Sequence, residues 1–229
     1  MTNKERFINL LMSTDREGID KLINFLEKTD FFTAPASTRF HLSCEGGLLQ
    51  HSLNVYDCLT NLGVMNHDGR FQEFHVSGMR LDSTPKESII IVALLHDLCK
   101  TNFYVTEMRW RKDTNQKWEQ YPVYTVNDRN PYGHGEKSVM MASEFIHLTM
   151  EERYAIRWHM GMSEPGNIQT YCQAAAKYPL VLFTHMADQM ATSYMETNTG
   201  NKKPNDVYMG TEPNAVPANP EEFAEAESI

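Results

Sequence analysis

Six side chains in this 229-residue chain are of types that hold transition metals: His51 in GGLLQHSLNV, the adjacent pair His96-Asp97 in ALLHDLCK, His134 in YGHGEKS, His159 in RWHMG and Asp188 in HMADQ. Apart from the adjacent pair, each is expected at or near the end of a separate helix. Imidazole nitrogens and carboxylate oxygens suit borderline divalent ions such as iron, manganese, zinc, nickel or cobalt, with histidine bound terminally and aspartate able to bridge. Four imidazoles and two carboxylates are enough for one or two such ions. Two ions about 3.5–4 Å apart can hold a hydroxide between them and clamp a phosphoryl group for in-line attack. Phosphoester hydrolysis is the chemistry this inventory fits best.

The His96-Asp97 pair ends the segment that organises the chain, KESIIIVALLHDLCKT at 86–101. Ile89 through Leu95 leave almost no polar face, which predicts a helix buried on all sides. A carboxylate at the end of such a segment stays ionised only if something compensates it, and a metal ion does so while also using the neighbouring imidazole. Lys100 follows Asp97 by about one turn, placed to meet an anionic substrate oxygen. Arg39 and His41, ahead of Gly46-Gly47, are further candidates for substrate contact. So is Lys137, near a helix N-terminus whose free amides favour anions. His185, one turn before Asp188, projects on the same side and is expected to support the site or simply pack. Cys99 reads as a small apolar filler, and His75 and His147 as ordinary histidines.

The elements that must position these residues follow from periodicity. Amphipathic helices are expected at 4–13 and 16–29 on the outside of the domain, the second capped by Asp15. A loop over 30–47 leads to a helix at about 48–63 with His51 beside its apolar stripe, and 64–85 reads as a loop. The period then changes: in 102–126 aromatic and β-branched residues alternate with polar ones on either side of Asp113-Thr114-Asn115-Gln116, which predicts a β-hairpin. Its Trp110, Arg111, Lys112, Lys117 and Trp118 suit a substrate-contacting flap, because indole and guanidinium planes stack on bases. Helices are expected again at about 135–147, from the capping box Thr149/Glu152 to Gly161, near 168–177 and from Leu180 to about Glu196. The fold class expected is all-α, a single helical domain over 1–197 with an inserted hairpin at about 102–126. Residues 198–229, rich in Asn, Pro, Gly and Glu, read as a loosely held tail.

With 30 acidic and 21 basic residues, and a net charge of −9, the chain does not suit a broad nucleic-acid-binding face unless its charge is segregated. The four cysteines lack CxxC spacing and sit in apolar patterns, which predicts reduced core thiols. No stretch approaches the roughly 20 apolar residues of a membrane span, and the N-terminal segment is unlike a signal peptide. A soluble, cytoplasmic protein is expected.

Taken in order over about residues 40–195, the motifs around His51, His96-Asp97, His134, His159 and Asp188 resemble the HD-domain superfamily of metal-dependent phosphohydrolases. The likeness is greatest to bacterial and phage HD-domain hydrolases of unassigned substrate. It implies a helical bundle around the metal, with His51 as first ligand, His96 and Asp97 as the paired ligands, Asp188 as the last, and His134 and His159 serving a second ion. Asp97 would bridge the two ions, and Lys100 would correspond to a lysine that binds phosphate. A small phosphorylated substrate, a nucleotide above all, is the partner implied; single-stranded nucleic acid and a homo-oligomer are both compatible with it, a membrane is not. Two other readings use the same residues: a di-iron oxygenase centre, and a nucleotide-binding or interaction module with a structural metal.

Overall fold

The computed structural model describes residues 1–64, 84–162 and 168–196. The tail expected from residue 198, and all but the ends of the loop expected at 64–85, lie outside them. The described chain is mostly helical: α1 (Asn3–Met12), α2 (Ile19–Glu27), α3 (Gly47–Val64), α4 (Lys86–Leu95), a 3₁₀ turn at Leu98–Lys100, β1 (Tyr104–Lys112), β2 (Trp118–Val126), α5 (His134–Ser143), α6 (Met150–Arg157), α7 (Ile168–Lys177), α8 (Pro179–Met190) and a π-helical turn at Ala191–Glu196. Among the described residues, no helix is long and apolar enough to cross a membrane.

Helix α4 has no polar face because it has no free side. It packs against α1, α3, α6 and α8, and Ile90 through Leu95 are at most 1% exposed. Burying each such side chain contributes about 1.5–3 kcal/mol. Ser88, the one polar residue on its buried surface, donates to the Glu152 carboxylate at 2.7 Å. That carboxylate, fully buried, also accepts from Arg16 at 2.6 Å and from the Thr149 amide at 2.8 Å. The capping box of α6 thereby ties it to α4 and to the turn before α2. Helix α4 stops at Leu95 instead of running to Thr101. Asp97 leaves helical geometry (φ −104°, ψ 19°), so that its carboxylate turns inward beside the His96 ring.

Helices α1 and α2 are part of the core and not an outer layer: Phe7, Leu11, Ile19, Leu22 and Leu26 are at most 4% exposed. The capping of α2 also differs from expectation. Gly18, not Asp15, is the N-cap, with φ 89° and a backbone so close to the Phe145 carbonyl that a Cβ there would lie 2.0 Å from its oxygen. Cys58 and Cys99 are buried as expected, whereas Cys44 is half-buried and Cys172 exposed.

The hairpin pairs in register from Tyr104↔Val126 to Lys112↔Trp118. Its turn is held by Asp113, whose carboxylate accepts from the amides of Asn115 and Lys117 at 2.8 Å each, the local bonding that makes aspartate a turn residue. Most of the ribbon is exposed on both faces.

Candidate metal centre

Five elements bring the six sequence-predicted ligands together. His51 comes from the second turn of α3, His96 and Asp97 from the break after α4, His134 from the first residue of α5, His159 from the end of α6 and Asp188 from α8. Asp97 stands at the middle. Its Oδ2 lies 3.5 Å from both His51 Nε2 and His96 Nε2, and its Oδ1 lies 2.8 Å from His134 Nε2 and 3.5 Å from His159 Nε2. Each carboxylate oxygen thus faces its own pair of imidazoles. His51, His96 and Asp97 form one group of donors close enough to hold an ion, and Asp97, His134 and His159 form a second. Asp188 joins the first group, its Oδ1 lying 3.3 Å from His51 Nε2.

The tautomers of these rings favour ligation. His96 Nδ1 donates to the Ala93 carbonyl at 2.8 Å and His159 Nδ1 to the Ile156 carbonyl at 2.7 Å, each using the carbonyl freed at its own helix end. That assigns the proton to Nδ1 and leaves Nε2 a bare lone pair. His159 Nε2 is buried with no hydrogen-bond partner, and His51 Nε2 sits only 3.1 Å from His96 Nε2. A buried ring nitrogen without a donor, beside two ring nitrogens that must share either one proton or one ion, is satisfied by a cation. The donor set therefore fits a metal: imidazoles oriented by backbone carbonyls, with carboxylates among them.

Charge leads to the same conclusion. Burial lowers the pKa of His51, but Glu196 and Asp188 outweigh it and hold the ring up at about 10. Burial also works against His134, yet Asp97 and Cys99 raise it to about 9. For Asp97, burial opposes ionisation and is overcome by Lys100, His96 and the surrounding imidazoles, which keep the carboxyl well below its usual range. Asp188 is likewise depressed against its burial by His51, with His96 and His159 adding to the effect. The carboxylates draw positive charge into the centre.

Glu196 was not legible from sequence as part of this centre. It closes the π-helical turn after α8, 2% exposed. Its Oε1 and Oε2 lie 3.0 and 3.1 Å from His51 Nδ1, and Asn54 Nδ2 donates to Oε1 at 2.8 Å. A carboxylate that takes the Nδ1 proton points Nε2 at the metal position and raises its basicity. Its only sequence signal is an acid at the expected end of an apolar helix, too common to single out. Cys99 is more than a filler: its Sγ lies 3.2 Å from His134 Nδ1 and its amide donates to Ser138 Oγ at 3.0 Å. His185 Nδ1 donates to the His159 carbonyl at 2.7 Å. Its ring presses on Gly161 (φ 63°), where a Cβ would come within 2.5 Å of it.

The expected substrate-contact residues divide. Lys100 reaches the centre, with Nζ 2.7 Å from Asp97 Oδ2 and donating to the Ala36 carbonyl at 2.7 Å. His41 packs tilted against His51, ring centres 5.1 Å apart, and its buried Nε2 has no hydrogen-bond partner; burial and His51 lower its pKa to about 4, so it is neutral at pH 7. Arg39 is exposed on the same loop, over the Phe40 ring. Lys137 lies elsewhere: it is buried against Phe103, its ammonium 2.5 Å from the Asp128 carboxylate. It borders a cavity of about 630 Å³ that none of the six ligands lines. Trp110 is exposed on the ribbon, and Arg111 is paired there with Glu119.

Comparison of the chain with protein-family models, with curated proteins and with solved structures finds no match to any of them.

Proposed function

We propose that this protein is a metal-dependent phosphohydrolase with an HD-type helical domain, acting on the phosphoester of a nucleotide or short oligonucleotide. The observation that carries the reading is the placement of Asp97, whose two oxygens each face a separate pair of imidazoles. His51, His96 and Asp188 would hold one ion, His134 and His159 the other, with Asp97 shared. When bound, such ions polarise a phosphoryl oxygen and bring the pKa of water down towards 7. The chain's own part is positioning. Glu196 and the Ala93 and Ile156 carbonyls fix the ring orientations. The surrounding core buries His51, His96, Asp97, His159 and Asp188 away from bulk water. His134, with a side chain 32% exposed against 3% or less for the other imidazoles and Asp97, marks the open side.

Lys100 presents a positive charge beside Asp97 Oδ2 and would steady the phosphoryl oxygens. His41, neutral, lies beside His51 with its buried Nε2 3.9 Å from Glu196 Oε2, and so backs the His51–Glu196 pair. The test is elemental analysis of the purified protein coupled to a panel of nucleoside phosphates, cyclic nucleotides and short single strands. Asp97→Ala is expected to lose metal and turnover while remaining folded. An active, metal-free Asp97→Ala protein would overturn the proposal. Turnover that consumed O₂ and required iron would replace it with the oxygenase reading.

A further inference from the structure

We propose that one face of the β1–β2 ribbon is a track for single-stranded nucleic acid leading to the metal centre, so that the substrate is an oligonucleotide chain and not a free nucleotide. This rests on the phosphohydrolase reading for the chemistry at its end, but not for binding along its length. In an antiparallel pair, residues directly opposite share a face. The register therefore puts Tyr104, Met108, Trp110 and Lys112 of β1 on the same face as Trp118 and Tyr124 of β2. Trp110 is 60% exposed, Trp118 64% and Met108 55%.

Within the two strands that face carries no carboxylate; Glu45, from the loop before α3, comes near it only at Tyr124, by its root. The only acids in the two strands, Glu107 and Glu119, fall on the opposite face, where they lie 3.9 Å from Arg109 and 2.6 Å from Arg111. In a chain with 30 acidic residues, this is charge segregation. It leaves Lys112, held over the Trp118 ring at 5.6 Å, as the charge on the aromatic side. Exposed indoles beside an ammonium, on a strand face free of carboxylates, are the pattern of a base-stacking surface for an anionic strand.

The face is also continuous with the centre. The Tyr104 hydroxyl donates to the Ala36 carbonyl at 3.2 Å, and Lys100 Nζ donates to the same carbonyl while touching Asp97. From that root, the six residues to Trp110 span about 20 Å at the rise of a β-strand. A free nucleotide held at the centre would have no use for a track of that length. A strand whose scissile phosphate sits at Lys100 would lay its neighbouring bases on it.

The metal-loaded full chain is tested with a fluorescent oligothymidylate of about eight nucleotides, within the range such surfaces occupy, and with bis(p-nitrophenyl) phosphate. Trp110→Ala and Trp118→Ala are each expected to weaken strand binding about tenfold and to lower the ratio of strand to small-ester kcat/KM by a similar factor. Trp110→Phe should recover most of the loss, and wild-type binding should weaken as salt rises. Strand binding indifferent to both alanine variants would overturn the track. So would a dimer on size exclusion that Trp110→Ala dissolves with strand binding intact, which would make the face a contact between copies. Tryptophan-dependent strand binding without hydrolysis of either ester would leave the track standing and remove the phosphohydrolase reading.

Discussion

The metal-ligand cluster and the β1–β2 ribbon hold their charged groups under opposite physical conditions. In the cluster, Asp97 is 2% exposed and Lys100, His51, His96 and His159 close around it. Burial leaves each polar atom there to find its partner in the protein or in an ion, and losing one leaves others uncompensated. On the ribbon, Arg111 and Glu119 pair in the open with side chains 58% and 43% exposed, where such a contact contributes at most about 1 kcal/mol. What is costly on the ribbon is apolar: Trp110 and Trp118 are covered by no element among the described residues. Buried polarity and exposed apolarity are both departures from ordinary packing, and the proposed function rests on both.

Substitutions can break the comparison or sharpen it. The largest effect is expected at Asp97. Asp97→Asn keeps the shape of the side chain but removes the charge shared by both ligand groups, so turnover should fall to background and bound metal should be lost, as read by kinetics and elemental analysis. Stability should separate the regions next. Ile91→Ala in α4 is expected to cost about 2–5 kcal/mol in denaturant unfolding, whereas Trp110→Ala should stay within about 0.5 kcal/mol, as for an exposed side chain. A large loss from Trp110→Ala would mean that the ribbon is structural. Glu196→Gln removes the acid behind His51 while keeping its size, and should lower metal affinity by about 10- to 100-fold. Unchanged affinity would confine Glu196 to packing.

The smallest effect concerns pH. In chelated protein, His134 and His51 titrate at about 9 and about 10, above their unfolded value of 6.5. Their contribution to stability is complete below that value and is lost as pH rises through 9 to 10. Asp97 and Asp188 are depressed below 3.8, so their contribution is present above that value and disappears on acidification. Metal should displace the imidazole protons. The alkaline loss should therefore shrink in loaded protein, and metal binding near neutral pH should release protons, measured by calorimetry in buffers of different ionisation enthalpy.

Much of the site is readable from sequence because its ligands sit beside strong local signals: an all-apolar helix before His96-Asp97, a Gly-Gly turn before the helix of His51, a capping box ahead of His159. Period-2 alternation likewise located the ribbon. What was not legible depends on tertiary neighbours. Helix α4 ends at Leu95 because the surrounding helices leave an inward place for the Asp97 carboxylate, a fact outside its own residues. Gly18 replaces Asp15 as the cap of α2 because the Phe145 backbone comes too close for any Cβ. Lys137 has the sequence context of an anion contact, but Asp128 and Phe103 take its ammonium. Glu196 joins the centre only because α8 widens into a π turn, which carries no sequence signature of its own.

The account turns on Asp97 standing between two metal positions, and anomalous scattering from crystals of metal-loaded protein tests this most directly. Two peaks are predicted on opposite sides of the Asp97 carboxylate, one among His51, His96 and Asp188 and the other beside His134 and His159. Metal-loaded crystals with no peak at this carboxylate, or with ions bound only elsewhere, would contradict it.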